Sequence, residues 1–150
     1  MNTEYQLAQF NVARMIGVTI EDPIMKEFVD NSDQVNLLAE GSEGFVWRFE
    51  DESNNSIDFN PFNDDQVITN LSVWKDIETL ESFTYKTFHT EFIKRRKEWF
   101  QKYGKAHYVL WWIKKNQFPT LTEAIEKLEH LQNHGPTAEA FTFRTKFPKP

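Results

Sequence analysis

The sequence predicts an α+β fold of the ferredoxin-like kind, β-α-β-β-α-β with an extra C-terminal helix and tail. Three observations predict it. Four segments carry the two-residue alternation of strands, and three carry apolar residues three and four apart, as helices do. Their order along the chain is that of a split βαβ unit. No internal repeat, linker or composition shift divides residues 1–150, so one domain is expected.

Residues 5–14, YQLAQFNVAR, form the first strand. Leu7, Gln9, Asn11 and Ala13 share one face, and Ala8, Phe10 and Val12 the other. Asp22 is suited to cap a helix that opens on Pro23. Ile24, Phe28, Val35 and Leu38 make its apolar stripe, Gly41 its stop, and residues 30–33 (DNSD) a weak point of low helix propensity. GFVWRFE at 44–50 is the second strand, rich in aromatic and branched residues. The polar segment 51–66 is long for a hairpin loop, which points to a role in shape or function. VITNLSVW at 67–74 is the third strand.

Asp76 caps a second helix holding Ile77, Leu80, Phe83 and Thr84. Its pattern resumes through Phe88, Phe92 and Trp99 to about Tyr103, with Gly104 as the stop. HYVLWWIKK at 107–115 is a fourth, central strand. Thr120 and Glu123 read as a capping box for a last helix, whose buried stripe is Leu121, Ala124, Ile125, Leu128 and Leu131. His134-Gly135-Pro136 closes it, and Phe141 and Phe143 in the tail suit an edge strand or a cover over a neighbour.

This order implies a four-stranded antiparallel sheet with helices on one face. The other face needs a cover. In a chain with 14 Phe and 5 Trp, a second copy is the economical one, so a homodimer is expected.

Composition narrows the function classes. A net charge of −6 argues against nucleic-acid binding, and the basic run Lys94-Arg95-Arg96-Lys97 between Glu91 and Glu98 reads as a solvated helix face. Without cysteine there are no disulfides, thiolate metal sites or cysteine nucleophiles. The N-terminal residues lack signal-peptide character, and no apolar run reaches the ~18 residues of a membrane span. A cytoplasmic protein that contacts neither membrane nor nucleic acid is expected.

LAQFNVAR at 7–14, GFVWR at 44–48, NLSVW at 70–74, FHTEFIKRRKEWF at 88–100, VLWW at 109–112 and HGPTAEAFTFRTKFP at 134–148 together resemble the bacterial family called domain of unknown function 3291. The resemblance spans essentially the whole chain and implies the dimeric α+β barrel superfamily. Two ferredoxin-like units there usually pack sheet against sheet, and sites commonly lie between the sheet and helices of each subunit. Cofactor-free monooxygenases, haem-degrading enzymes, isomerases and sensors share that fold, so it does not select a reaction.

The candidate site is polar residues within aromatic stripes. A helix through 88–100 would align Tyr85, His89, Phe92, Ile93 and Arg96, extended to Trp99 and Phe100. His89 would then be a tentative catalytic proton carrier, Arg96 an anion clamp, and Tyr85 and Trp99 ligand walls. The alternative gives His89 a backbone carbonyl and Arg96 a glutamate. Gln9 and Asn11, two amides on one strand face, either line the same pocket or satisfy each other across a dimer. Asn11 and His89 resemble the residues flanking haem in haem-degrading members of the superfamily, which makes haem the alternative cofactor to none. Those enzymes also place a Trp on that helix, where this chain offers Phe83 or Tyr85. Trp111 and Trp112 must face opposite sides of the sheet, as must Trp47 and Arg48. His130 and His134 have a metal spacing, but a helix C-terminus favours histidine without one, and no metal site is expected.

The expected function is binding of a small organic molecule in a sheet–helix pocket. Proton-transfer, isomerase-like or cofactor-free oxygenase chemistry would follow if the chain is an enzyme. The rival classes are a haem protein and a non-catalytic interaction module.

Overall fold

The computed structural model describes residues 4–49, 66–86 and 94–150. The order is β1 (Tyr5–Arg14), α1 (Lys26–Glu40), β2 (Phe45–Arg48), β3 (Val67–Trp74), α2 (Ile77–Lys86), β4 (Tyr108–Lys114) and α3 (Leu121–His134), with short 3-10 turns at Pro23–Met25 and Arg96–Glu98. All strand pairs are antiparallel in the order β2-β3-β1-β4, the ferredoxin-like arrangement. Gln9 lies opposite Ser72 on β3 and Leu110 on β4, and Asn11 opposite Asn70 and Tyr108.

The alternation in β1 becomes two different interiors. Ala8, Phe10 and Val12 pack with Val73, Val109 and Trp111 against Ala124, Leu128 and Leu131 of α3, and all of these are buried. Leu7, Trp74 and Leu110 face the other way, toward Ile77, Leu80 and Phe83 of α2 and Val35 and Ala39 of α1. Helices therefore lie on both faces of the sheet. The face that the sequence left for a second copy is filled by the chain's own C-terminal helix, whose stripe Ala124, Leu128, Leu131 supplies the apolar cover. Trp111 and Trp112 divide as the pleat requires: Trp111 joins the α3 side, and Trp112 packs with Phe141 and Phe147 of the tail.

Local signals set most boundaries. Asp22 accepts from the Ile24 amide, and Asp76 from the Thr79 amide at 2.8 Å. Thr120 accepts from the Glu123 amide at 3.1 Å, while the Glu123 carboxylate, instead of closing the box, accepts from Trp111 Nε1 at 2.9 Å. Gly44 has φ +86°, and a side chain there would collide with Thr79 in the first turn of α2. The tail adds a single bridge beyond β4, in which Phe141 and Leu110 exchange both backbone hydrogen bonds.

Three expectations change. Helix α1 runs unbroken through residues 30–33, and the Asn31 and Ser32 side chains donate back to the Glu27 and Val29 carbonyls within it. Its stripe is Phe28, Val35 and Ala39, with Ile24 and Leu38 exposed. The segment before β4 does not stay helical to Tyr103: it leaves the helix at Glu98, where the Trp99 carbonyl accepts from Ile16 and the Gln101 amide donates to Arg14. Pairing with the end of β1, together with burial of Trp99 among Met15, Met25 and Phe28, overrides local propensity there. Residues 51–65 of the polar loop, and Phe88, His89, Phe92 and Ile93, lie outside the described residues.

Candidate functional site

Between the sheet and helices α1 and α2 lies a cavity of about 380 Å³, within the range of small-molecule sites. Its walls are mainly apolar, with Phe28, Val35, Phe45, Leu80, Phe83 and Trp99 among them. Its floor is polar. Gln9, Asn11, Asn70 and Ser72 project from β1 and β3 into one hydrogen-bonded row. Asn11 Nδ2 donates to Gln9 Oε1 at 2.9 Å. Gln9 Nε2 donates to Asn70 Oδ1 at 2.6 Å and to Ser72 Oγ at 2.8 Å. Trp74 Nε1 donates to the same Ser72 oxygen at 3.0 Å.

This row follows from the alternation. Once Ala8, Phe10 and Val12 are committed to α3, Gln9 and Asn11 must face the cavity, and register sets Ser72 and Asn70 across from them. Gln9 is only 7% exposed, and its amide donates both hydrogens and accepts one bond.

One wall carries charge. Arg96 Nη1 stands 3.5 Å from His107 Nε2, and both line the cavity. A guanidinium only donates, so His107 Nε2 is the acceptor and its imidazole is neutral. Burial first, and the Arg96 charge second, push the His107 pKa below its ordinary value. Among the described residues Arg96 has no carboxylate partner. Its neighbour Arg95 takes those instead, bonding both oxygens of Glu27 at 2.6 Å and Glu98 at 2.9 Å, with its guanidinium 4.8 Å from the Trp99 ring centroid. Tyr85, Tyr108 and Phe143 form an aromatic cluster beside this pair, and the Tyr108 hydroxyl accepts from the Phe143 amide at 3.2 Å. Burial, the main cause, raises the Tyr108 pKa.

Residues 6–150 match the family described as domain of unknown function (DUF3291). The chain belongs to the DUF3291 family. No curated protein matches it. Among solved structures, a conserved protein from Methanosarcina mazei Go1 is similar at 12% identity and a TM-score of 0.52, over 77% of this chain and 96% of that one. A protein of unknown function from Nitrosomonas europaea is similar at 9% identity and a TM-score of 0.49, over 79% and 96%. SnoaB, a cofactor-independent oxygenase from Streptomyces nogalater, is similar at 12% identity and 0.48, over 80% and 99%. The Methanosarcina likeness bears on the fold alone.

In this DUF3291 chain, five sequence-derived candidates meet around one cavity: Gln9 and Asn11 on its floor, Arg96, Trp99 and Tyr85 on its walls. Trp99 is nearly fully buried and also belongs to a core cluster, whereas Tyr85 is half exposed at the rim. His89 lies outside the described residues. The haem reading rests on that histidine. Among the described residues the one histidine on the cavity wall is His107, whose Nε2 is turned to a cation and offers no axial ligand. His130 and His134 do not line the cavity, their ring centroids lie 4.6 Å apart and tilted by 43°, and no group of three or more metal-ligating side chains forms among the described residues. No helix among them is long and apolar enough to cross a membrane.

Sequence reading missed Asn70, Ser72 and His107. Asn70 and Ser72 were visible as two polar residues two apart in VITNLSVW, the same signal that singled out Gln9 and Asn11. His107 carried no local signal. It reaches Arg96 because its carbonyl accepts from Val12, which places the start of β4 beside the turn after Glu98.

Proposed function

We propose that this protein binds a small organic anion with an apolar body in the sheet–helix cavity. The supporting observation is Arg96: a guanidinium on the wall of an aromatic cavity, facing a neutral imidazole and meeting no carboxylate among the described residues. An unneutralised cation beside apolar walls is suited to a ligand carboxylate, sulfonate or enolate. If the chain is an enzyme, the chemistry that these groups favour is proton abstraction beside a carbonyl, in an isomerase-like or cofactor-free oxygenase-like reaction. His89 is the sequence-derived proton carrier, while Arg96 holds the anionic group of the ligand. The homodimer is a separate proposal, and light scattering at micromolar concentration reads it. With α3 on the far face of the sheet, the association surface would lie elsewhere.

Two dyes test the binding claim. Anilinonaphthalene sulfonate and the neutral phenylnaphthylamine share a ring system and differ in charge. The wild type is expected to bind both, and Arg96→Gln to weaken the sulfonate at least tenfold, about 1.4 kcal/mol, while sparing the neutral dye. Absence of binding by either dye, or equal affinity of wild type and variant for the sulfonate, would overturn the proposal.

A further inference from the structure

At its Ser72–Asn70 end the cavity floor is biased toward donating hydrogen bonds, while at the other end Asn11 Oδ1 meets no donor among the described residues. Ser72 is 6% exposed and lines the cavity. Its oxygen already accepts twice, from Gln9 Nε2 at 2.8 Å and Trp74 Nε1 at 3.0 Å. A hydroxyl that accepts two hydrogen bonds has its proton left to give, and both incoming bonds polarise it as a donor. That proton meets no acceptor among the described residues. Asn70 shows the same bias: its oxygen is taken by Gln9, and its Nδ2 hydrogens have no acceptor among the described residues. Gln9 sets this direction, because its oxygen is occupied by Asn11 and its nitrogen must point at Asn70 and Ser72.

We infer that the floor recognises a carbonyl oxygen, with Ser72 Oγ–H and the Asn70 amide as its donors, so that the ligand is a keto acid whose apolar body separates its two polar groups. The inference rests on the proposed anion at Arg96 and adds the second polar end. The two polar ends lie on different strands: Arg96 stands by His107 at the start of β4, Ser72 lies on β3, and β1 runs between them. Two strand spacings are about 9–10 Å between backbones, so the apolar body of the ligand must reach across β1. Unpaired donors in a largely buried site also discriminate: a ligand without an oxygen there leaves them unsatisfied.

The test compares para-acetylbenzoate with para-isopropenylbenzoate, which share a planar branched outline and a carboxylate and differ in having C=O or C=CH2. Calorimetry on the wild type is expected to favour the ketone at least tenfold, about the effect of one good buried hydrogen bond. Ser72→Ala should bring the two affinities to within about threefold. Because the readout is a ratio on one protein, any loss of stability in the variant cancels. A second measurement needs no variant: the infrared carbonyl stretch of the ketone bound to wild type should shift to lower frequency than in an aprotic solvent. Equal wild-type affinities with an unshifted stretch overturn the carbonyl subsite and leave the anion site standing. Failure of both benzoates to bind overturns the anion site and this inference with it.

Discussion

The two faces of β1 differ in kind although their residues alternate. On one, Ala8, Phe10 and Val12 are sealed under α3 with no polar group among them. On the other, Gln9 and Asn11 sit in a cavity whose floor is hydrogen-bonded and whose wall carries Arg96. The first face contributes apolar burial, the main favourable term in folding. The second gives up packing to keep a hollow lined with polar groups, which close packing alone would not select. Stability is thereby assigned to one side of the sheet and recognition to the other, and substitutions one residue apart should separate them.

The largest effect is expected on the sealed face. Phe10→Ala should lower unfolding free energy by about 3–5 kcal/mol, read by urea denaturation. On the adjacent cavity-facing position, Gln9→Leu removes three hydrogen bonds but leaves its former partners facing a cavity that water can enter. A loss of about 1 kcal/mol is expected there. A Gln9→Leu loss as large as that of Phe10→Ala would erase the distinction between the faces.

The next effect is one of pH. Folding holds His107 neutral, through burial and then Arg96, so its pKa in the folded chain is below the unfolded value of about 6.5. As pH falls through that value the unfolded chain takes up the proton first. Stability from this group is therefore present above about pH 6.5 and lost on acidification. His107→Gln keeps an acceptor for Arg96 without titrating, and should lose less stability between about pH 7 and pH 5 than the wild type. Parallel acid profiles for the two proteins would show that His107 is not held neutral by the fold.

What the sequence disclosed follows how local each cause is. Strand alternation, the Asp76 and Thr120 caps and the α3 stripe are set by residues near in sequence, and β1, β3 and α3 emerge where the periodicity places them. Gln9 and Asn11 were legible for the same reason. Two features were not. The cover over Phe10 was assigned to a second copy because nothing in the α3 stripe says which face it will choose; the pairing of Trp111 with Glu123 and the burial of Ala124 make that choice in three dimensions. The Arg96–His107 pair depends on a turn that ends when Trp99 and Gln101 pair with β1, a contact across more than eighty residues. Arg96 itself was named from a helical stripe, and it stands on the cavity wall at the start of a 3-10 turn.

The most direct measurement is made on one variant with two readouts. Arg96 is exposed to solvent at its rim and meets no carboxylate among the described residues, so it contributes little to folding. Arg96→Gln is expected to unfold within about 0.5 kcal/mol of wild type and to bind anilinonaphthalene sulfonate at least tenfold more weakly. A variant that loses stability while keeping wild-type affinity for the dye would contradict the account, and would return Arg96 to the scaffold.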